Sequence, residues 1–162
     1  MNWEMVSAIG QIIGAGAVFV TLVYLAVQIR QNTASIQASA RQAIAENDQQ
    51  FLFRVMDNPE LSLLRYKAEL TDAEKIRLSM YLVAIFRMRE NLWRQYREGV
   101  LDEATWKSYS SSIAAFASPR VRNWLDNETI AQQFDPEFVS VAREIIAKTP
   151  NSDRPIWLSV FD

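Results

Sequence analysis

Polar and apolar positions along this chain change their rhythm near residue 30. Before it, between Glu4 and Arg30, runs a stretch without a charged side chain, Met5 to Ile29. As a helix rising about 1.5 Å per residue, these twenty-five residues reach roughly 37 Å, more than the ~30 Å hydrocarbon core of a bilayer. Twelve of them are Ile, Leu, Val or Phe, and at about −0.3 to −0.6 kcal/mol each they favour insertion by roughly 4 to 7 kcal/mol. Ser7, Gln11, Thr21 and Gln28 offset part of that gain, but no ionised group adds its penalty of ~3 kcal/mol. Trp3 stands at the entry and Tyr24 and Arg30 near the exit, where interfacial anchors belong. The pattern predicts a transmembrane helix over residues 1–30.

Signal peptides and buried core helices also carry apolar runs, and both fit this one less well. A cleaved signal peptide begins with basic residues, whereas this chain begins Asn2-Trp3-Glu4, and its apolar run continues well past the small residues Ala15 and Ala17. A buried core helix seldom extends this far without a charge. Flanking charges give an orientation: Arg30 and Arg41 lie after the segment, while only Glu4 and the terminal amine precede it. That asymmetry favours a cytoplasmic location for the C-terminal part of the chain.

Within the span the small residues are not scattered. Ser7, Gly10, Gly14, Ala17, Thr21, Tyr24 and Gln28 step alternately by three and four, a heptad stripe, with Ile9, Ile12, Ile13, Phe19, Val20 and Val27 largely off it. Three of the chain's four glycines lie in the segment (Gly10, Gly14, Gly16), and glycine costs a water-exposed helix about 1 kcal/mol relative to alanine. Small residues let two helix backbones approach closely, and Ser, Thr and Gln can hydrogen-bond across the contact. A repeat of 3.5 residues favours a left-handed crossing. Glycine is also simply commoner in membrane helices, so the GxxxG alone is a weak sign; the sustained stripe is the stronger one. Gly14-Ala15-Gly16 is not a dinucleotide loop, because no strand precedes it and the third glycine is missing.

Beyond the span the period stays helical. Neither proline nor glycine occurs from Ala17 to Asp57, and Ile29, Ile36, Ala40, Ala43, Ile44, Phe51 and Val55 recur at helical spacing. One helix leaving the membrane and ending near Asp57 is expected, residues 31–57 being a stalk that becomes the first helix of a domain. A restart at Asn32-Thr33 is the alternative. Asn58-Pro59-Glu60, the capping box Thr71-Asp72-Ala73-Glu74, Asp102-Glu103, Ser118-Pro119 and Asp135-Pro136-Glu137 are further start signals. Gly99 is the expected stop after Glu98. Seven consecutive apolar residues, Met80 to Phe86, read as a buried central helix, too closely bracketed by Arg77 and Arg87 to span a membrane. The predicted fold is all-α: a transmembrane helix continuing into a small helical bundle over residues 58–150, with an apolar tail at 151–162.

Composition removes most chemistry. The chain has no cysteine and no histidine, so disulfides, thiolate metal sites, the usual general base and the Glu-x-x-His pairs of di-iron bundles are absent. A net charge of −2 gives no reason to expect nucleic acid as a partner. No cofactor or metal is expected, since only a hard cation on carboxylates would remain.

Tyr24 to Thr33 (YLAVQIRQNT), directly after a glycine-containing span, and Tyr96 to Glu103 (YREGVLDE), with Trp106 beyond it, resemble a widespread group of small uncharacterised bacterial single-pass membrane proteins. The likeness covers most of the chain. It implies a bacterial inner-membrane protein with a helical domain and carries no catalytic residue.

Several side chains suggest chemistry, each with a plainer role at hand. Arg87, Arg89, Arg94 and Arg97 would suit anionic lipid or an acidic partner, but Glu90 and Glu98 sit among them at pair spacing, which favours a solvated face. Carboxylates such as Glu69, Asp72 and Glu74 suggest acid–base or metal chemistry only weakly. Ser110-Ser111-Ser112 has no histidine to activate it, and a pairing with Lys107 is a remote option. Trp93, Trp106, Trp124 and Trp157, with Tyr81, Tyr96 and Tyr109, fit a core better than a ligand pocket. The tail carries Trp157, Leu158 and Phe161, apolar enough that docking on its own domain is expected, the alternatives being the lipid interface or another subunit. Together these features lead to the expectation of a non-enzymatic accessory or scaffolding subunit in a membrane assembly. It would associate with another membrane protein or with itself through the span; the alternative is a tethered binding module for a small apolar ligand.

Overall fold

The computed structural model describes residues 2–151 together with Arg154, Pro155 and Leu158. The helices are α1 (Trp3–Asp57), α2 (Glu60–Leu63), α3 (Asp72–Arg97), α4 (Glu103–Ala114), α5 (Pro119–Asp126), α6 (Glu128–Ala131) and α7 (Pro136–Lys148), with a 3-10 turn at Leu64–Tyr66 after α2. Among the described residues there is no strand, and the fold is all-α. The chain divides into two compact units, residues 1–41 and 42–162.

The first unit is the N-terminal part of α1. No break occurs at Asn32-Thr33: α1 is helical from Trp3 to Asp57. This is the expected outcome for a sequence with nothing to stop it, since only Gly and Pro interrupt a helix cheaply. Its apolar stretch, near the N-terminus, is long and apolar enough to cross a membrane, and none of that stretch is buried. Ile12 is 73% exposed and Phe19 68%.

The second unit is built around α3. Thr71 closes its start as a complete capping box with Glu74, each side chain bonding the other's backbone N–H. Its end is a Schellman turn: the Gly99 N–H reaches the Tyr96 carbonyl at 3.0 Å and the Val100 N–H reaches the Gln95 carbonyl at 2.9 Å. Gly99 holds φ 73°, a region where a Cβ is strained. Asp102, Ser118, Asn127 and Asp135 cap α4, α5, α6 and α7 through their side chains.

Leu78, Leu82, Ile85, Phe86 and Trp93 of α3 bury one face against Ile113 of α4, Val121 and Leu125 of α5, and Phe138, Val139, Ala142 and Ile146 of α7. At about 1.5–3 kcal/mol for each large apolar side chain, this cluster is the main source of stability. Phe86 is its centre, with ring centroids at 5.4 Å from Trp124, 6.3 Å from Phe134 and 6.5 Å from Phe138. A smaller cluster joins Ile44 of α1 to Leu92 and Leu101, flanked by Tyr96, Trp106 and Tyr109.

The structure corrects two sequence expectations. The run Met80–Phe86 is not buried throughout: Leu82, Ile85 and Phe86 face inward, but Met80 is 59% exposed and Ala84 is exposed as well. At 100° per residue a seven-residue run covers every face of a helix, and only one of them meets the core. The second concerns Asn58-Pro59-Glu60, which does start a helix, a single four-residue turn leading into the 3-10 segment, but with Pro59 at the N-cap and no side-chain cap bond.

Candidate functional site

The small-residue stripe lies along the first unit. A Cβ built on Gly10, Gly14 or Gly16 would meet nothing within 4 Å, so no packing within the chain requires glycine there. Two polar members of the stripe bond along their own helix. Thr21 Oγ1 donates to the Ala17 carbonyl at 2.9 Å, and Gln28 Nε2 donates to the Tyr24 hydroxyl at 2.7 Å. Such local bonds lower the cost of carrying polar groups into an apolar medium. Ser7, Tyr24 and Gln28 are exposed.

Arg87, Arg89, Arg94 and Arg97 of α3 do not share one face. Arg87 and Arg94 converge on Glu90, whose side chain is only 4% exposed: Arg87 Nη1 donates to Oε2 at 2.9 Å and Arg94 Nη2 to Oε1 at 3.2 Å. The same Oε1 accepts the backbone N–H of Asp135 at 2.6 Å. Glu90 therefore joins α3 to the capping residue of α7, and charge-assisted bonds satisfy both of its oxygens. Arg97 pairs with Glu137 at 2.9 Å and lies over the Trp93 ring. Arg89 turns away from the other three. It is 5% exposed, donates to Asp48 of α1 at 3.0 Å and lies over the Tyr109 ring.

The carboxylates and serines are spread apart. Glu74 pairs with Lys67 at 2.7 Å and Asp72 with Lys75 at 2.9 Å. The Lys67 hydrogen bond, helped by the Thr71 N–H, holds the Glu74 carboxyl down to about 2. Lys148 similarly lowers Glu144. No group of three potential metal-ligating side chains occurs among the described residues. Ser110, Ser111 and Ser112 donate to the carbonyls of Lys107, Ser108 and Tyr109, three residues back, in the ordinary manner of helical serines. Burial pushes the Tyr81 phenol up, against a hydrogen bond with Ser62 and the nearby charge of Arg65.

Trp93 and Trp124 belong to the core, and Trp106 stacks on Tyr96 with centroids 6.0 Å apart. Of the tail, Trp157 and Phe161 lie outside the described residues. Leu158 is 50% exposed and, with the buried Pro155, lines a shallow depression beside Leu63, Leu64 and Tyr66.

Sequence reasoning missed an open groove of about 790 Å³ in the second unit. Phe51 and Val55 of α1, Leu61 of α2, and Ile76, Met80 and Ala84 of α3 form its apolar wall. The signal was present in the spacing. Ile76, Met80 and Ala84 are each four apart, a second apolar stripe on α3 hidden by the assumption that one helix buries one face.

No protein-family model matches the chain, and the searches of curated proteins and of solved structures likewise gave no match.

Proposed function

We propose that this chain is a single-pass protein of the bacterial inner membrane, with the N-terminal part of α1 crossing the bilayer and the bundle on the cytoplasmic side. In this proposal it serves as a non-enzymatic accessory or scaffolding subunit, assembling through the stripe Ser7, Gly10, Gly14, Ala17, Thr21, Tyr24 and Gln28. The supporting observation is that glycine at positions 10, 14 and 16 relieves no contact inside the chain, while it lowers helix propensity. Close approach of a second transmembrane helix gives those positions a reason. Resemblance at YLAVQIRQNT and YREGVLDE supports the bacterial setting, and Arg30 and Arg41 support the orientation.

The test is mild-detergent purification of the full chain with identification of what accompanies it, repeated with Gly10→Leu and Gly14→Leu. Both variants are expected in the membrane fraction, with co-purification of the partner, or of a differently tagged copy, reduced at least about tenfold, roughly 1.4 kcal/mol. Unchanged association in the double variant overturns the proposal.

The groove between α1, α2 and α3 favours a second reading, a tethered module that holds a small apolar ligand, since its size falls in the ordinary range of ligand sites. Under that reading Met80→Asp abolishes ligand retention, and the glycine variants leave it intact.

A further inference from the structure

Arg65, in the 3-10 turn after α2, is 4% exposed and has no carboxylate partner among the described residues. Its Nε and Nη1 are buried with no hydrogen-bond acceptor. What it does have is aromatic: the guanidinium lies 5.0 Å from the Tyr66 ring centre and 4.8 Å from that of Phe116. Rings soften the loss of water but leave the donors unfilled, and an arginine cannot shed its charge to escape. Arg89 and Glu90, the other buried ionisable side chains among the described residues, each have an opposite charge beside them.

Arg65 forms part of the wall of a depression of about 440 Å³ whose other polar members are Lys67, Ser118, Arg120 and Asn123. Among the described residues no acidic side chain lines it. The Lys67 charge is shared with Glu74, but Arg120 has no described carboxylate beside it either. It spends its donors on the carbonyls of Leu64 and Lys67, each at 2.7 Å, and Ala68 at 3.1 Å. Those bonds fix the segment that carries Arg65 against the start of α5. At that start Pro119 brings no N–H and the Val121 N–H is taken by Ser118 Oγ, leaving the Arg120 N–H as the open donor of the turn. Two uncompensated guanidinium groups and a helix N-terminus therefore meet on one small surface.

We propose that this depression binds a phosphate group, with Arg65 as the buried counter-charge and Lys67, Arg120 and Asn123 at its rim. The negative charge of phosphate is what the wall lacks, with Arg65 supplying opposite charge from below and the Arg120 N–H at the start of α5 a donor at the rim. The group reaches the site either as a free phosphate or as the headgroup of an anionic phospholipid.

The experiment is thermal unfolding of the full chain in non-ionic detergent, with inorganic phosphate compared with chloride at equal ionic strength. A parallel arm uses phosphatidylcholine nanodiscs with and without phosphatidic acid. A saturable rise in Tm on the order of 10 °C at a hundredfold excess over Kd is expected. It should disappear in Arg65→Met. A rise with inorganic phosphate identifies the free ion, and a rise only with phosphatidic acid identifies the headgroup. Absence of an Arg65-dependent rise in both arms overturns the proposal. Should Arg65→Met fail to fold, Asn123→Asp decides. By placing a carboxylate in the wall it should raise Tm without phosphate and abolish the phosphate response. A full response retained in Asn123→Asp overturns the site.

Discussion

Arg89 Nη1 of α3 donates to Asp48 Oδ1 of α1 at 3.0 Å, a pair 41 positions apart in which the arginine is almost wholly buried. Ile44, Asp48, Phe51 and Val55 recur at helical spacing, and all four are at least half-withdrawn from solvent. This pair makes the C-terminal part of α1 an integral wall of the bundle. Asp48→Ala leaves the Arg89 charge buried without its carboxylate and should cost roughly 3 kcal/mol. Combining it with Arg89→Met should recover a large share, because the charge needing compensation is gone. Denaturant unfolding of the two variants and the double variant measures the coupling directly.

Glu90 is the second charged pin. Glu90→Ala removes two arginine bonds and the acceptor of the Asp135 N–H at once, and a loss of about 2–4 kcal/mol is expected. Glu90→Gln retains an acceptor for Asp135 and should lose roughly half as much. Near-UV circular dichroism during thermal unfolding distinguishes them, and equal melting of Glu90→Ala and wild type contradicts the role assigned to the carboxylate.

Glu74 gives a pH dependence of definite sign. Its folded pKa is depressed to about 2 by Lys67 and the Thr71 cap, below its ordinary value of 4.5. The folded state thus binds fewer protons than the unfolded one between these limits. The associated stability is complete above about pH 4.5 and is lost as pH falls towards 2. Glu74→Gln should therefore flatten the acid limb of the stability profile in that window, being less stable than wild type at neutral pH and nearly equal to it near pH 2. A carboxyl-carbon NMR titration placing Glu74 at its ordinary value contradicts this account.

Gly99 should rank substitutions by their tolerance of positive φ. Gly99→Ala is expected to cost about 1 kcal/mol, Gly99→Asn less, and Gly99→Val more, since a β-branched side chain is least compatible with that backbone. The order is read from denaturation midpoints at constant m. If alanine and glycine melt together, the Schellman turn is not what ends α3.

Much of the fold was legible because helix ends are decided locally. Thr71 with Glu74, Asp102, Ser118, Asp135 and Gly99 announce themselves within a few residues of where they act, and each acts as the sequence suggests. The short α6 was not legible. Asn127 both ends α5 and caps α6, and one residue in two roles gives no separate start signal. The arginine cluster was legible as charge but not as geometry. Arg89 and Glu90 are neighbours in sequence, yet their partners, Asp48 and Asp135, lie 41 and 45 positions away in opposite directions along the chain. No local spacing contains that information. The depression around Arg65 was hidden for the same reason, as Arg120 reaches it from more than 50 positions downstream.

The division between near and distant bonds also sets a clock. Caps at Thr71, Asp102, Ser118 and Asp135 can close as soon as their own turns form. The Arg120 clamp on Leu64 and the Glu90 hold on Asp135 must wait until the chain has returned upon itself across 56 and 45 positions. Bonds made after the rate-limiting step govern departure from the native state rather than arrival at it. Weakening the bundle at Arg120 or Glu90 is accordingly expected to hasten unfolding more than it slows refolding, which the two arms of a denaturant chevron for each variant measure.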